Sequence, residues 1–201
     1  MFGPSVYDSN TLSDRIIIRE IVEFERYCRD YELWDQMKQL FLPDSIVKIS
    51  WFEGTGEAFV ENSKKMKGAN HKIHNTIVQV HHDKAVAEII TQIQSRELLN
   101  GKLVDLVSYV RLLYRLKKVD DLWKIYSIDC IYEKDLLIPV IPGDNPTIDK
   151  KEFNKYRSSY SNLSLILATK ESHTNQNLPG IDRMDTVVEL YQKYDKWLNE
   201  I

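Results

Sequence analysis

The sequence predicts an α+β fold, with helices first, a curled antiparallel sheet after them and a helical extension at the end. Three observations carry this. Apolar residues recur at steps of four, three and four through residue 28, the spacing of one helical face. From residue 71 the period changes, giving four long segments rich in β-branched and aromatic residues and separated by short turns. Beyond residue 136, three of the six prolines interrupt the strand pattern within 137–147, and helical spacing then returns. Helices followed by a run of strands segregate into α+β architecture.

The elements follow in order. Thr11 and Ser13 are candidate N-caps for a first helix whose apolar stripe is Ile17, Ile21, Phe24 and Cys28. A short second helix, roughly 31–41, carries Leu33, Trp34, Met37, Leu40 and Phe41. Pro43 and Asp44 end it, and IVKISWF (46–52) reads as a strand with Val47, Ile49 and Trp51 on one face and Lys48 and Ser50 on the other. Residues 54–68 lead into a third amphipathic helix. KIHNTIVQVHH, KAVAEIITQIQSREL, KLVDLVSYVRLLYRL and LWKIYSIDCIYE then form four strands joined by HHDK, LNGK and KVDD. Connections this short pair neighbours antiparallel. Along 103–116 one face carries Val104, Leu106, Ser108, Val110, Leu112, Tyr114 and Leu116, apolar enough for core or cavity, with Ser108 its one short polar group. The opposite face carries Asp105, Tyr109, Arg111 and Arg115. Two further helices are expected, about 150–168 and 184–199, joined by the polar SHTNQNLPGIDR. The chain thus divides into an α+β domain over 1–136 and a connector with helical extension over 137–201.

Composition narrows the function classes. The 201 residues suffice for one sizeable core, and 43% hydrophobic with 28% charged residues is the balance of a soluble globular protein. Net charge is −3, and the one basic trio, Lys64, Lys65 and Lys67, reads as a solvated helix end, so no nucleic-acid partner is expected. No apolar run approaches a membrane span, and the opening MFGPSVYDSN lacks the charged and apolar regions of a secretion signal. Cys28 and Cys130 lie far apart in apolar segments, which fits free buried thiols in a reducing cytoplasm. Phosphate-loop, HExxH, GxSxG and EF-hand spacings are absent, so no cofactor and no metal are expected.

Chemistry then rests on Asp30 and the histidines. Two roles are open to Asp30: cap of the second helix, which starts immediately after it, or carboxylate aimed into a pocket. His81 and His82 fall at a turn and His173 in the polar connector. His71 and His74 face opposite sides of a regular strand, so they cannot easily share a metal. His74, on the face of Thr76, Val78 and Val80, is the candidate of interest, against the plainer reading of a partly buried histidine.

The order of parts resembles the SnoaL-like domains of the NTF2-like superfamily. Asp30 and Trp34 followed by LFLPDSIV (40–47), then GTGEAFVENSKKM, HKIHNTIVQV and SYVRLLYRLKKVDDLWKI carry the resemblance over roughly residues 10–135. It implies a cone: three helices packed in a strongly curved sheet around a mostly apolar cavity. Members such as scytalone dehydratase and bile-acid dehydratases hold an Asp–His pair there, and by position the resemblance puts Asp30 and His74 in those roles. It implies a cofactor-independent lyase or isomerase acting on a small hydrophobic carbonyl compound, with His74 as general base and Asp30 fixing its tautomer. Tyr27, Tyr31, Trp51, Ser108 and Val110 are the expected substrate contacts. A non-catalytic ligand-binding or interaction module of the same fold is the alternative. Four positions depart from the dehydratases: Arg29 where scytalone dehydratase has Tyr, Val110 and Leu112 where it has Ser and Asn, and Cys130 where a bile-acid dehydratase has Arg. The group that polarises the carbonyl is therefore missing from the expected set. Family members commonly dimerise through the convex sheet face, so a homodimer or higher homo-oligomer is expected there, across Tyr109 and Arg111. The extension is expected to roof the cone mouth or to extend that contact.

Overall fold

A computed structural model describes residues 9–66 and 68–200; the leading MFGPSVYD and Lys67 of the basic trio lie outside the described residues. Helix α1 (Leu12–Asp30) follows a short 3₁₀ turn and buries Ile18, Val22, Glu25, Arg26, Cys28 and Arg29. The expected stripe is met in part: Cys28 is buried and Ile21 packs against the core. Ile17 and Phe24 stay 45% and 41% exposed, because the packed face is rotated by one residue, about 100° around the helix. Glu25 and Arg26 on the packed face pair with each other, so hydrophobicity alone does not mark that face. Neither Thr11 nor Ser13 makes the expected side-chain cap: Thr11 stands at the cap position without a side-chain capping bond to the helix, and Ser13 lies inside the helix.

The turn after α1 decides the fate of Asp30. Glu32 takes a left-handed conformation (φ 59°), and the Leu33 amide returns to the Cys28 carbonyl at 2.8 Å. This is a Schellman closure, and its apolar members, Cys28 and Leu33, both join the core. Helix α2 (Trp34–Gln39) has Leu33 at its cap position with no side-chain cap. The corner is therefore closed by backbone, and Asp30 caps nothing.

Strands β1 (Phe41–Ile49) and β2 (Phe52–Thr55) form a hairpin about a turn at Ser50–Trp51, and helix α3 (Gly56–Ser63) starts at Thr55, whose hydroxyl accepts the Ala58 amide at 3.2 Å. The long strands β3 (Asn70–His81), β4 (Lys84–Leu99), β5 (Lys102–Val119) and β6 (Leu122–Pro139) make the expected antiparallel run. The sheet order is β2-β1-β6-β5-β4-β3, with β1 parallel to β6 and every other pair antiparallel. Asn100–Gly101 and Asp120–Asp121 turn the β4–β5 and β5–β6 hairpins with positive φ at both residues, the geometry that matches strand twist. Bulges in β3 and in the β5–β6 pairing accompany the sheet's curl around α1 and α3. Val47, Phe59, Ile89, Leu112, Tyr114 and Ile125 fill the concave core.

The boundary expected at 136 falls inside β6, and the helix expected over 150–168 is two: α4 (Lys150–Phe153) and α5 (Ser161–Thr169). Between them Arg157 turns aside to Asp182 and the Leu178 carbonyl, and the Tyr160 ring packs 4.5 Å from Tyr132. Buried Asp135 on β6 accepts the Leu163 amide at 2.7 Å and the Asn162 side-chain amide at 2.9 Å, which pins the start of α5 over the cone mouth. Helix α6 (Met184–Asn199) lies on the convex face, burying Val187, Leu190, Tyr194 and Leu198 with Val86, Leu113 and Ile131. Each fully buried side chain of this kind contributes on the order of 1.5–3 kcal/mol. Arg111 lies beneath it, donating to the Tyr191 hydroxyl at 2.7 Å and paired with Glu133. A second copy could reach the expected Arg111 surface only by displacing α6.

The bulge in β3 matters most for function. Ile73 pairs with Thr91 and Asn75 with Ile90, so His74 is the extra residue. Parity reverses across it: Val78 is buried after the bulge, while Lys72, His74 and Ile77 face outward. His74→Ala is therefore expected to change stability by less than about 0.5 kcal/mol. Deleting His74 joins Ile73 to Asn75, whose partners Thr91 and Ile90 are already consecutive, so β3 becomes a regular ladder with His71 and Val78 still facing inward. The deletion is therefore expected to be tolerated, costing less than about 1 kcal/mol in a urea melt.

Candidate active site in the cone

A cavity of about 150 Å³ remains between the concave sheet and the helices. Ile93, Leu106, Ser108, Leu112, Ile128, Cys130 and Tyr132 supply its sheet side, and Ile49, Ser50 and Trp51 the β1–β2 corner. Arg26, Arg29 and Phe59 reach it from α1 and α3, His71 from β3, and Leu163, Ile166, Leu167 and Lys170 from α5. The extension thus roofs the mouth.

Asp30 and His71 make the central contact. The His71 amide donates to Asp30 Oδ2 at 2.7 Å, and Nδ1 lies 2.5 Å from Oδ1. Both side chains are nearly out of solvent, at 12% and 3% exposure. Burial opposes charge on Asp30, yet the hydrogen bonds and charge of His71, helped by Arg26, hold its carboxyl below the ordinary value. An ionised carboxylate only accepts, so Nδ1 carries the proton and Nε2 presents a lone pair. Burial is also the largest influence on His71 and lowers its pKa. The bond to Asp30 raises it, Arg26 and Arg29 lower it further, and the net position is below 6.5.

Two arginines flank this pair. Arg26 binds Glu25 through Nε and Nη2, and the Tyr114 hydroxyl donates to the same carboxylate at 3.1 Å. Its remaining nitrogen, Nη1, stands 3.4 Å from His71 Nε2. Arg29 reaches the Ser63 and Met66 carbonyls at 3.4 and 3.3 Å, where α3 ends, and lies over the rings of Trp51 and Phe59. Burial, and then repulsion from Arg26, push its pKa down to about 10. The thiols offer no nucleophile, since burial pushes Cys130 up to about 12 and Cys28 up to about 11. Among the described residues no three His, Cys, Asp or Glu side chains gather as metal ligands.

Of the expected site residues, Asp30, Trp51 and Ser108 are at the site. His74 is not: the bulge turns it outward, and His71, three residues earlier, takes the place expected for it. Tyr27 and Tyr31 are 49% and 64% exposed and stack on each other at 4.3 Å outside the cone, on the face of α1 opposite its packed charges. Val110 is core, and its β6 partner Tyr132 lines the cavity instead. His81 is half-buried against the Leu198 carbonyl rather than free in solvent, whereas His82 and His173 are exposed. Sequence reasoning missed His71, Arg26 and Arg29. The available signal was Glu25, Arg26 and Arg29 falling at helical spacing with Ile18 and Val22, charges on a face that also carries aliphatics.

Comparison with known proteins agrees with this architecture. A family model described as SnoaL-like domain matches residues 10–129. An uncharacterised protein of Emericella nidulans is 30% identical over 187 residues, covering 85% of this chain and 77% of its own. Among solved structures, a candidate scytalone dehydratase of Novosphingobium aromaticivorans superposes with a TM-score of 0.55 at 18% identity, over 69% of this chain and 96% of its own. A hexachlorocyclohexane dehydrochlorinase superposes with a TM-score of 0.53 at 12% identity, over 70% and 97%. These two likenesses establish the fold.

The pair sets an acid limit on stability. Folded His71 resists a proton that the unfolded chain accepts near pH 6.5, so stability falls as pH drops below that value. Asp30 adds a second loss only below its ordinary value of 3.8, as its lowered folded pKa is crossed. Melting temperature against pH should therefore begin to fall near 6.5, and His71→Gln should remove that component and shrink the one below 3.8, because His71 supplies the largest influences that lower Asp30.

Proposed function

The chain belongs to the SnoaL-like family, and from that premise we propose that it is a cofactor-independent lyase or isomerase acting on a small hydrophobic carbonyl compound. One observation carries the reading: a buried Asp30–His71 pair on the wall of a mostly apolar cavity, with Arg26 Nη1 3.4 Å from its acceptor nitrogen. His71, not His74, is the general base.

The chemistry follows from the atoms. Nε2 takes the proton from the carbon next to the carbonyl, and the C–H electrons move onto the carbonyl oxygen to give an enolate. Asp30 stabilises the imidazolium so formed. Arg26 Nη1, beside Nε2 and uncommitted to Glu25, supplies positive potential where the enolate oxygen develops, which the dehydratase-type tyrosines would otherwise provide. Collapse of the enolate expels a β-hydroxyl, which leaves as water with the proton held on Nε2. Returning that proton at another carbon gives isomerisation instead. A His71 pKa below 6.5 keeps the base unprotonated at neutral pH, and α5 covers part of the cavity mouth.

The test is turnover of a panel of single-ring β-hydroxy ketones, β-hydroxy acids and cyclic enones, followed by mass spectrometry for loss of water and by NMR for double-bond migration. Wild-type protein is expected to convert at least one compound. His71→Gln should lower that rate roughly 10²- to 10⁴-fold, and His74→Ala should leave it unchanged. Turnover that survives in His71→Gln rules the reading out.

A further inference from the structure

The charges that reach the cavity wall are unbalanced. Among its described lining residues are four cations, Arg26, Arg29, Lys65 and Lys170, and one carboxylate, Glu97. Glu97 is taken by Lys170 at 2.8 Å, and Arg26 is taken by Glu25. Asp30 turns its oxygens to His71 and makes no ion pair with Arg29. Arg29 is left as a guanidinium buried to 8% exposure whose donors, among the described residues, reach only two backbone carbonyls, both at long range. A buried cation without a carboxylate partner is expensive, and the stacking on Trp51 and Phe59 holds this one in a fixed plane at the cavity wall.

A second unpaired group lies on the sheet side. Ser108 is 3% exposed, lines the cavity, and its Oγ has no hydrogen-bond partner among the described residues. Register places it: His71 pairs with Ile93 on β4, and Ile93 pairs with Ser108 on β5. Directly paired residues share a face, so His71 and Ser108 both point into the cone, two strand spacings or roughly 10 Å apart. A cavity of about 150 Å³ between them has the volume that accepts one benzene-sized ring.

We propose that the cavity recognises a single-ring organic anion, with its acidic oxygen on Arg29 and a hydroxyl or carbonyl at the far edge of the ring on Ser108. This rests on the cavity being the active site and names the substrate class within it. The anion completes the guanidinium fork, and the ring fills the space between Trp51, Ile93 and Leu112. It also explains why Arg29 sits one residue from Asp30: the anchored group places the carbon bearing the labile proton within reach of Nε2.

Calorimetric titration with four probes tests it: benzoate, benzamide, methyl benzoate and 4-hydroxybenzoate. Benzoate should bind at least about tenfold more tightly than the two neutral analogues, the scale of a charge-assisted hydrogen bond. Arg29→Met should erase that preference. Because Arg29 also serves the end of α3, Arg29→Lys decides if the Met variant fails to fold: it keeps the charge but loses the fork, and should weaken benzoate several-fold while leaving benzamide unchanged. 4-Hydroxybenzoate should bind more tightly than benzoate, and Ser108→Ala should abolish that difference. Equal affinity for acid and neutral analogues, an acid preference unaffected by either Arg29 change, or no binding of either acid at about 5 mM overturns the proposal. A 4-hydroxyl preference that persists in Ser108→Ala removes Ser108 from it. His71→Gln separates the two readings, because it should lose turnover yet bind benzoate as the wild type does.

Discussion

The contact between Asp30 and His71 joins the last residue of α1 to the second residue of β3, and the rest of the site is arranged around it. Two of its features are needed together. The backbone amide and the ring nitrogen of one residue grip both oxygens of one carboxylate, so the imidazole is fixed in tautomer and in plane. The Schellman closure after α1 makes this possible, because a corner closed by backbone leaves the carboxylate free. The bulge at His74 completes it, since β3 can then aim His71 into the cone at one end and bury Val78 at the other.

The extension changes what a cone of this type can do. Helix α5, held by Asp135, turns an open mouth into a roofed cavity, which strengthens every charge interaction within it. Helix α6 covers part of the convex face and fastens there through Tyr194, whose hydroxyl donates to Asp129 at 2.8 Å and lies 3.0 Å from the Leu113 carbonyl. Two functions often given to other subunits or to solvent, closing the site and covering the sheet, are performed by residues 150–199 of the same chain.

Much of the fold was legible in the sequence, because four long β-rich segments and their turn residues leave few alternatives, and the Asp30–Trp34–LFLPDSIV order narrows them further. Parity within strands was legible where the ladder is regular: Ser108 was placed on the concave face of β5 from alternation alone. It failed in β3, where one extra residue exchanges the faces and where HKIHN offers one histidine before the bulge and one at it. The face of α1 was misread for a related reason. Its inward stripe includes Glu25, Arg26 and Arg29, whose burial depends on partners on other elements, Tyr114 on β5 and His71 on β3, that no local pattern contains. Arg26, the group proposed to polarise the carbonyl, was thus present in the sequence, outside the expected apolar stripe.

The whole proposal depends on Asp30 fixing His71 with a proton on Nδ1 and a lone pair on Nε2. Nitrogen-15 NMR of the histidine rings across pH measures this directly, with His71→Gln assigning the signal. At neutral pH Nδ1 should be protonated and Nε2 unprotonated, with the ring titrating at a midpoint below 6.5. A proton resident on Nε2, or a midpoint above 6.5, would contradict the proposal.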